Sequence, residues 1–266
     1  MRRINQRMRP QVLTTAISQA HFQDVRLVAT DMDGTLTAKG EFTPGLLHAF
    51  EKLRDRNIKV MIVTGRSAGW VSGLVNYLPV VGAIAENGGV YIDKINLETD
   101  ILPDIPRMSQ HRGRLQNMFN RLRSRHPAIK PSVDNPYRLT DWTFDIDGLT
   151  EEDIATMQKS CAENAVGFTY STVQCHLKVP HQNKAAGLSR VLQKYFPDLS
   201  PNNVITVGDS PNDESLFNTD AFPYSVGVAN VSEYLQSLSH QPAYITEKPE
   251  VEGFLSLVEQ LCIGVS

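Results

Sequence analysis

The stretch VATDMDGTLTAKG, residues 28–40, joins the end of an apolar run to two carboxylates spaced two positions apart. Leu27, Val28 and Ala29 are typical of a buried β-strand, and Asp31 and Asp33 follow almost at once. A turn explains one aspartate followed by a glycine, because Asp-Gly is a common turn pair. It does not explain the second acid, so the segment is a candidate functional site.

Apolar, β-branched runs alternate with segments of helical spacing along the rest of the chain, which predicts an α/β fold with a Rossmann-like parallel sheet. Thr43 and Pro44 form a cap for a predicted helix that runs to about Arg56, with Leu46, Leu47, Phe50 and Leu53 on one face. Several runs are continuously apolar, as expected when helices cover both faces of a sheet. The predicted strands are residues 26–29, 59–63, 80–85, 204–207, 224–228 and 243–245.

Residues 88–179 interrupt this alternation with a hairpin-like segment, two predicted helices (residues 108–125 and 151–164) and three short predicted strands. We therefore predict a catalytic core of residues 25–87 and 180–266, with residues 88–179 inserted into it as a second α/β domain.

Residues 1–24 begin with MRRINQRMRP, which has four arginines, and contain no acid before Asp24. This segment lacks the apolar stretch of a secretory signal, so it is predicted to be a basic tail; an organelle transit peptide is the alternative.

The composition excludes several classes of protein. A formal net charge of −3 gives no reason to expect nucleic acid or an anionic membrane as a partner. No apolar run approaches the ~20 residues that a membrane helix needs. Cys161, Cys175 and Cys262 lack the paired spacing of a metal site and are predicted to be free thiols of a reducing cytosol. We expect a cytoplasmic monomer or homodimer whose partner is a small molecule.

Four polar clusters are predicted to lie at one edge of the sheet, where ligands bind to open parallel sheets. Asp31 and Asp33 follow the first strand, and Thr64-Gly65-Arg66 follows the second. The segment GDSPND, residues 208–213, follows the strand 204–207, and Lys184 begins the helix that precedes this strand. Each cluster alone has an ordinary explanation as a turn, a strand end, a solvated lysine or a helix cap. Together they indicate a site.

The chemistry that fits this set is phosphoryl transfer. Asp31 can attack phosphorus and form an aspartyl phosphate, and Asp33 can protonate the leaving oxygen and then activate water. Mg²⁺ prefers oxygen ligands and takes one or two carboxylates, which Asp31 and Asp209 can supply. The Thr64 hydroxyl, the Gly65 amide and Lys184 can hold the phosphoryl oxygens.

The segments DMDGT, TGR, NKAAGL and GDSPND, in this order, resemble the four signature motifs of the haloacid dehalogenase superfamily. The insert between TGR and the lysine looks like the type IIB cap. Its entrance, AIAENGGVYID, is similar to a branch that includes sucrose, trehalose, mannosyl-phosphoglycerate and phosphoglycolate phosphatases. The resemblance covers about residues 25–260. It implies an inserted α/β cap domain and a Mg²⁺-dependent phosphatase of a small phosphorylated metabolite, a sugar phosphate or a phosphoglycolate-like ester.

The resemblance also implies a role for each motif residue. It makes Asp31 the nucleophile and Asp33 the acid and base, and it makes Asp31, the Asp33 backbone carbonyl and Asp209 the metal ligands, with Asp213 supporting them. The residues implied to bind the substrate phosphate are Thr64, Gly65, Arg66, Lys184 and Asn212.

Two alternatives remain open. A phosphomutase of the phosphomannomutase type has a similar opening motif and a related cap, although TGR is not usual in that branch. A non-catalytic sugar-phosphate sensor of the same fold would have no need of Asp33. In the family, dehalogenase-like members lack this second acid and P-type ATPases have threonine there, so Asp33 favours phosphatases and phosphomutases.

The insert is expected to select the substrate, because the core motifs recognise only a phosphoryl group and its metal. Seven Lys or Arg and no acid occur in residues 107–130, which indicates either a solvated helix face or a surface that steers an anion. Leu115, Met118, Phe119 and Leu122 are predicted to form the buried stripe of that helix. The remaining predictions are a packed His176, possible substrate contacts at His181 and Gln182, a local Arg138–Asp141 pair, and packing roles for Trp70 and Trp142.

Overall fold

The computed structural model describes residues 10–96, 98–171 and 173–263. They form two compact units. The described residues up to Val60 and from Pro197 onward form the first, here called the aspartate unit; Met61–Phe196 form the second, here called the insert unit. The predicted insert, residues 88–179, falls within the insert unit, and residues 1–9 of the predicted basic tail lie outside the described residues.

In chain order the strands and α-helices are β1 (Gln11–Val12), α1 (Thr15–His21), β2 (Leu27–Thr30), α2 (Pro44–Asp55), β3 (Lys59–Val63), α3 (Ala68–Tyr77), β4 (Gly82–Ala85), β5 (Val90–Asp93), β6 (Thr99–Ile101), α4 (Met108–Arg125), β7 (Trp142–Asp145), α5 (Glu151–Glu163), β8 (Gly167–Tyr170), β9 (Gln174–Lys178), α6 (Lys184–Tyr195), β10 (Val204–Gly208), β11 (Tyr224–Gly227), β12 (Tyr244–Ile245) and α7 (Glu250–Cys262). Short 3₁₀ helices lie at Asn135–Tyr137, Pro201–Asn203, Pro211–Phe217 and Ala229–Glu233.

The aspartate unit is built on parallel strands in the order β1-β12-β11-β10-β2. Val204 of β10 pairs with Leu27 of β2, and the register continues to Val207 opposite Thr30. Every residue of β2 and β10 is buried, as predicted for parallel strands with continuous apolar runs. This register brings the segment after β2 and the segment after β10 to the same edge of the sheet.

Helix α2 buries part of its predicted apolar face and packs against α7. Leu46, Phe50 and Leu53 are fully buried, and the Phe50 ring meets the Phe254 ring of α7 edge-on with 6.0 Å between centroids. Leu47 was predicted to share this face but is 46% exposed, because it lies one helical step beyond the stripe that contacts the core.

The insert unit contains two β-structures. Strand β3 pairs in parallel with β4, and β4-β5-β6 form an antiparallel meander. The strands β7-β9-β8 form a separate antiparallel sheet. Helix α4 packs its predicted stripe of Leu115, Met118, Phe119 and Leu122 against one face of this sheet, where Cys175 and Leu177 complete the core.

The architecture is therefore α/β with a mostly parallel sheet, as the sequence predicted. Part of the segment expected to be a basic tail is regular structure, since β1 pairs with β12 and the Thr14 hydroxyl caps α1. All three cysteines are free, and Cys161 and Cys175 are buried. Among the described residues, no helix has the length and apolar character that a membrane crossing requires.

Candidate active site

Three buried aspartates lie together in the aspartate unit. The carboxylates of Asp31, Asp209 and Asp213 each offer an oxygen within 4.8 Å of the other two. The Asp31 amide donates to the Val207 carbonyl at 2.9 Å, so the chain leaves β2 still paired to β10 and carries Asp31 to the sheet edge. Asp33 follows in a turn and is half-buried. The structure thus brings together the predicted acids of the DMDGT and GDSPND motifs.

The Asp209 carboxylate is held by two side chains. Thr35 donates its hydroxyl to Oδ1 at 2.8 Å, and Asn230 donates its amide to Oδ2 at 3.0 Å. The same Asn230 amide lies 3.2 Å from the Gly34 carbonyl, so this residue joins the two motif segments. Asn230 is not predictable as a site residue from the sequence, because it lies in a short 3₁₀ helix with no motif around it.

Glycines in these motifs make room for the carboxylates. Gly34 has a φ of +79°, and a Cβ atom there would lie 2.6 Å from Asp209 Oδ2. A Cβ atom on Gly208 would lie 2.5 Å from the Cγ of Asp213. Both glycines are therefore required by close approach, and at Gly34 also by the left-handed backbone conformation.

Asp213 holds the backbone of its own motif. Its Oδ2 accepts hydrogen bonds from the amides of Asp209 and Ser210 at 3.0 and 3.1 Å. Asn212 accepts a hydrogen bond from the Ser210 hydroxyl at 2.6 Å. These contacts fix the loop that carries Asp209, and the role of Asp213 in supporting a metal stays a prediction.

The predicted phosphate ligands Thr64, Gly65, Arg66 and Lys184 belong to the insert unit. Thr64 is buried at the end of β3, and its Oγ1 accepts from the Arg66 amide at 3.1 Å. Lys184 is fully buried at the first position of α6, where Asn183 caps the helix by accepting from the Ala186 amide at 2.8 Å. A solvated helix lysine, the ordinary explanation of Lys184, is thus ruled out.

The two tryptophans differ in their surroundings. Trp142 packs its ring against Phe119 at 5.7 Å and carries the Arg112 guanidinium on its face, as expected for a packing residue. Trp70 is 45% exposed and stacks under the Arg66 guanidinium at 5.1 Å, so it is not a core residue. It lies four positions after Arg66, on the first turn of α3, and so contacts the TGR motif.

Glu86 is a buried carboxylate in the segment AIAENGGVYID, and the sequence did not predict a role for it. It is fully buried and has a φ of +55°. Oε1 accepts from the Ala68 and Leu139 amides, both at 3.0 Å, and Oε2 accepts from the amide and hydroxyl of Thr140 at 2.6 and 2.7 Å. Burial and the nearby negative charge of Asp141 raise the pKa of Glu86, and the amide donors act in the opposite direction. Through these hydrogen bonds the Glu86 carboxylate connects the segment after Tyr137 to the start of α3.

We expect Glu86→Gln to destabilise the protein by about 2–4 kcal/mol, because either amide orientation points its NH₂ group at backbone donors that now bond to a carboxylate oxygen. Urea unfolding followed by circular dichroism measures the change. Glu163→Gln is the matched control, since Glu163 is exposed in the same unit. Equal stability of the two variants would contradict the role of Glu86.

Arg138 forms the predicted pair with Asp141, and its side chain is completely buried. Nη1 lies 3.0 Å from both Asp141 oxygens and also donates to the Gly65 carbonyl at 2.9 Å. Asp134 and Gln174 accept from Nη2 at 2.8 and 2.9 Å. Burial alone would raise the pKa of Asp141, but Arg138 and His176 lower it below its ordinary value. The insert therefore contacts the TGR motif directly through Arg138.

Comparison with known proteins identifies the family to which this chain belongs. The family of haloacid dehalogenase-like hydrolases matches residues 28–104 and 108–255, which include all four motifs. The chain belongs to the haloacid dehalogenase-like hydrolases. The predicted superfamily and the predicted phosphatase class of hydrolase are confirmed.

Named relatives agree with this assignment. The chain is 27% identical over 244 residues to phosphoglycolate phosphatase 1 of Saccharolobus solfataricus, covering 90% of this chain and 97% of that protein. It is 26% identical over 217 residues to the phosphoglycolate phosphatase of Picrophilus torridus, covering 81% and 84%.

Solved structures show the same fold. A Thermoplasma acidophilum protein has a TM-score of 0.72 at 19% identity over 89% of this chain and 98% of that one. The C-terminal domain of trehalose-6-phosphate phosphatase from C. albicans has a TM-score of 0.70 at 16% identity over 97% and 99%. The predicted fold, a Rossmann-like core with an inserted α/β cap, is confirmed.

Proposed function

We propose that this protein is a Mg²⁺-dependent phosphatase that hydrolyses a small phosphorylated acid, of which phosphoglycolate is the type, through an aspartyl phosphate. The observation that carries the proposal is the buried cluster of Asp31, Asp209 and Asp213, with Asp33 two residues after Asp31. The substrate class is supported by the named relatives, which are phosphoglycolate phosphatases.

The cluster fits a hard divalent cation. It offers carboxylate oxygens, the ligands that Mg²⁺ prefers. Buried carboxylates so close together repel one another unless a cation or a proton intervenes. Asp31, Asp209 and the Asp33 backbone carbonyl would hold the ion. When bound, it would neutralise charge on the phosphoryl group.

The proposed chemistry has two steps. The Asp31 carboxylate attacks phosphorus, the bond to the ester oxygen breaks, and the Asp33 carboxyl gives its proton to that oxygen. In the second step the Asp33 carboxylate takes a proton from water, which attacks the aspartyl phosphate and releases inorganic phosphate. Asp31 is then a carboxylate again and Asp33 is protonated.

The proposed ligands of the phosphoryl oxygens are Thr64, Gly65, Arg66, Asn212 and Lys184. This assignment rests on the motif resemblance, and the buried ammonium of Lys184 supports it, because a cation at a helix N-terminus favours an anionic ligand.

We expect activity on p-nitrophenyl phosphate to disappear when EDTA removes divalent cations and to return when Mg²⁺ is added in excess. Release of nitrophenolate measures it. Addition of Zn²⁺-EDTA in place of EDTA is the control for inhibition by the chelator itself. Equal rates with EDTA and with Mg²⁺ would contradict the metal assignment.

The same preparation separates the competing functions. A panel of phosphoglycolate and phosphorylated sugars, assayed for free phosphate, identifies the substrate class. Hexose 1-phosphates with a bisphosphate activator test for a mutase, which would accumulate hexose 6-phosphate with little free phosphate. Absence of turnover on every phosphomonoester would favour a sensor.

A further inference from the structure

One face of β9 is polar although it is buried. Gln174, His176 and Lys178 alternate with Cys175 and Leu177, and all five are buried. Cys175 and Leu177 enter the apolar core beneath α4. Because side chains alternate across a strand, the three polar residues share the opposite face. Burial of such a set is costly unless its polar groups have partners.

Two of these three residues take part in the hydrogen-bond network of Arg138 and Asp141. Gln174 accepts from Arg138, and His176 Nδ1 lies 2.9 Å from Asp141 Oδ2. The other side of the His176 ring faces the TGR motif. A Cβ atom built on Gly65 would lie 3.3 Å from His176 Nε2. Asp141 thus orients the ring so that Nε2 lies beside the segment proposed to bind the phosphoryl group.

Lys178 is the third residue of the face. Its ammonium donates to the Gln182 carbonyl, and among the described residues no carboxylate lies within ion-pairing distance of it. Burial lowers the pKa of Lys178 to about 8, and the charge of Asp141 acts in the opposite direction. Burial lowers the pKa of His176, and the positive charge of Lys178, two residues along the same face of β9, acts in the same direction.

Two further polar atoms border these residues and lack hydrogen-bond partners among the described residues. Thr143 Oγ1 is buried on β7, at the position that pairs with His176. Gln182 Oε1 is buried in the residue whose carbonyl accepts from Lys178. Buried polar atoms without partners are rare in native proteins, so each of these two atoms needs an explanation.

We propose that Lys178 and His176 recognise a carboxylate on the leaving group of the substrate, and so make this chain selective for phosphorylated short-chain acids. This inference rests on the proposed function and adds the residues that recognise the substrate of the proposed phosphatase. The ester must be short, because His176 Nε2 lies 3.3 Å from the position of a Cβ atom on Gly65, one of the proposed phosphoryl ligands. A carboxylate one carbon away from the ester oxygen meets this condition, whereas a hexose does not.

The test compares phosphoglycolate with ethyl phosphate, which has a similar size but no carboxylate. We expect wild-type kcat/KM to favour phosphoglycolate at least tenfold. Lys178→Met keeps the length of the side chain and removes its charge, and should lower kcat/KM for phosphoglycolate about 10- to 100-fold, the effect of a charged hydrogen bond. Its kcat/KM for ethyl phosphate should change less than threefold. Lys159→Met is the matched control, because Lys159 is exposed in the same unit.

His176→Asn is a second variant, and it tests the inference even if Lys178→Met does not fold. The asparagine amide takes the place of Nδ1 beside Asp141 and removes Nε2, so selectivity should fall while thermal stability is largely retained. An equal loss on both esters for both variants, or a wild-type enzyme that does not discriminate, would overturn the inference. Turnover of ethyl phosphate without discrimination leaves the proposed phosphatase intact, whereas no turnover of either ester would overturn the proposed function itself.

Discussion

Asp31→Asn is expected to abolish phosphatase activity, with kcat lowered about 10⁴-fold or more, the effect of removing a covalent nucleophile. An amide does not attack phosphorus, and it contributes no negative charge to the cluster with Asp209 and Asp213. The variant should nevertheless fold, because the substitution is nearly isosteric and removes one of three mutually repelling carboxylates.

Turnover of p-nitrophenyl phosphate at saturating Mg²⁺ and the thermal midpoint together test this. Asp220→Asn is the matched control, since Asp220 is exposed in the same unit and should retain wild-type kcat. Acid quenching of the wild-type enzyme during turnover should trap phosphate on the protein, and the variant should trap none. Residual activity of Asp31→Asn within tenfold of wild type would show that another group attacks phosphorus.

Much of the fold follows from local patterns in the sequence. Strand β3 and helix α4 lie at the predicted residues, because a continuous apolar run and a stripe at helical spacing are strong signals over that length. The strand predicted to begin at Val80 begins at Gly82 instead, since Val80 and Val81 are still part of the turn after α3. Element ends depend on turns and caps, which a run of apolar residues does not specify.

The candidate site also contains residues that the sequence predicts and residues that it does not predict. Asp31, Asp209 and Asp213 were predictable, because each follows or supports a strand end and their motifs are continuous in sequence. Asn230 and Glu86 were not, because their roles depend on contacts with residues that are distant along the chain, Asp209 for Asn230 and Thr140 for Glu86. A buried polar partner of this kind has no local pattern, and only the packed structure identifies it.

Arg138 and His176 show the intermediate case. The sequence predicted a local Arg138–Asp141 pair and a packed His176, and both predictions are confirmed. The sequence did not predict that Asp141 joins the two residues, nor that Arg138 reaches the Gly65 carbonyl. The functional roles inferred for Arg138 and His176 depend on these long-range contacts.

Asp33→Asn is expected to separate the two chemical steps. The asparagine side chain neither protonates a leaving oxygen nor takes a proton from water, so general acid–base catalysis worth about 10²- to 10⁴-fold is lost. An alkyl phosphate needs the proton in the first step, and its turnover should fall by that factor with no early burst of product. Nitrophenolate leaves without a proton, so the first step on p-nitrophenyl phosphate should remain fast.

The second step needs Asp33 as a base for either substrate. Stopped-flow measurement on p-nitrophenyl phosphate should therefore show a burst of about one nitrophenolate per enzyme, followed by slow turnover, while aspartyl phosphate accumulates on Asp31. Asp55→Asn, at an exposed position of the same unit, is the control and should show wild-type kinetics. Equal losses on both esters without a burst would remove Asp33 from the acid role, because an acid needed only for a poor leaving group cannot slow the departure of a good one.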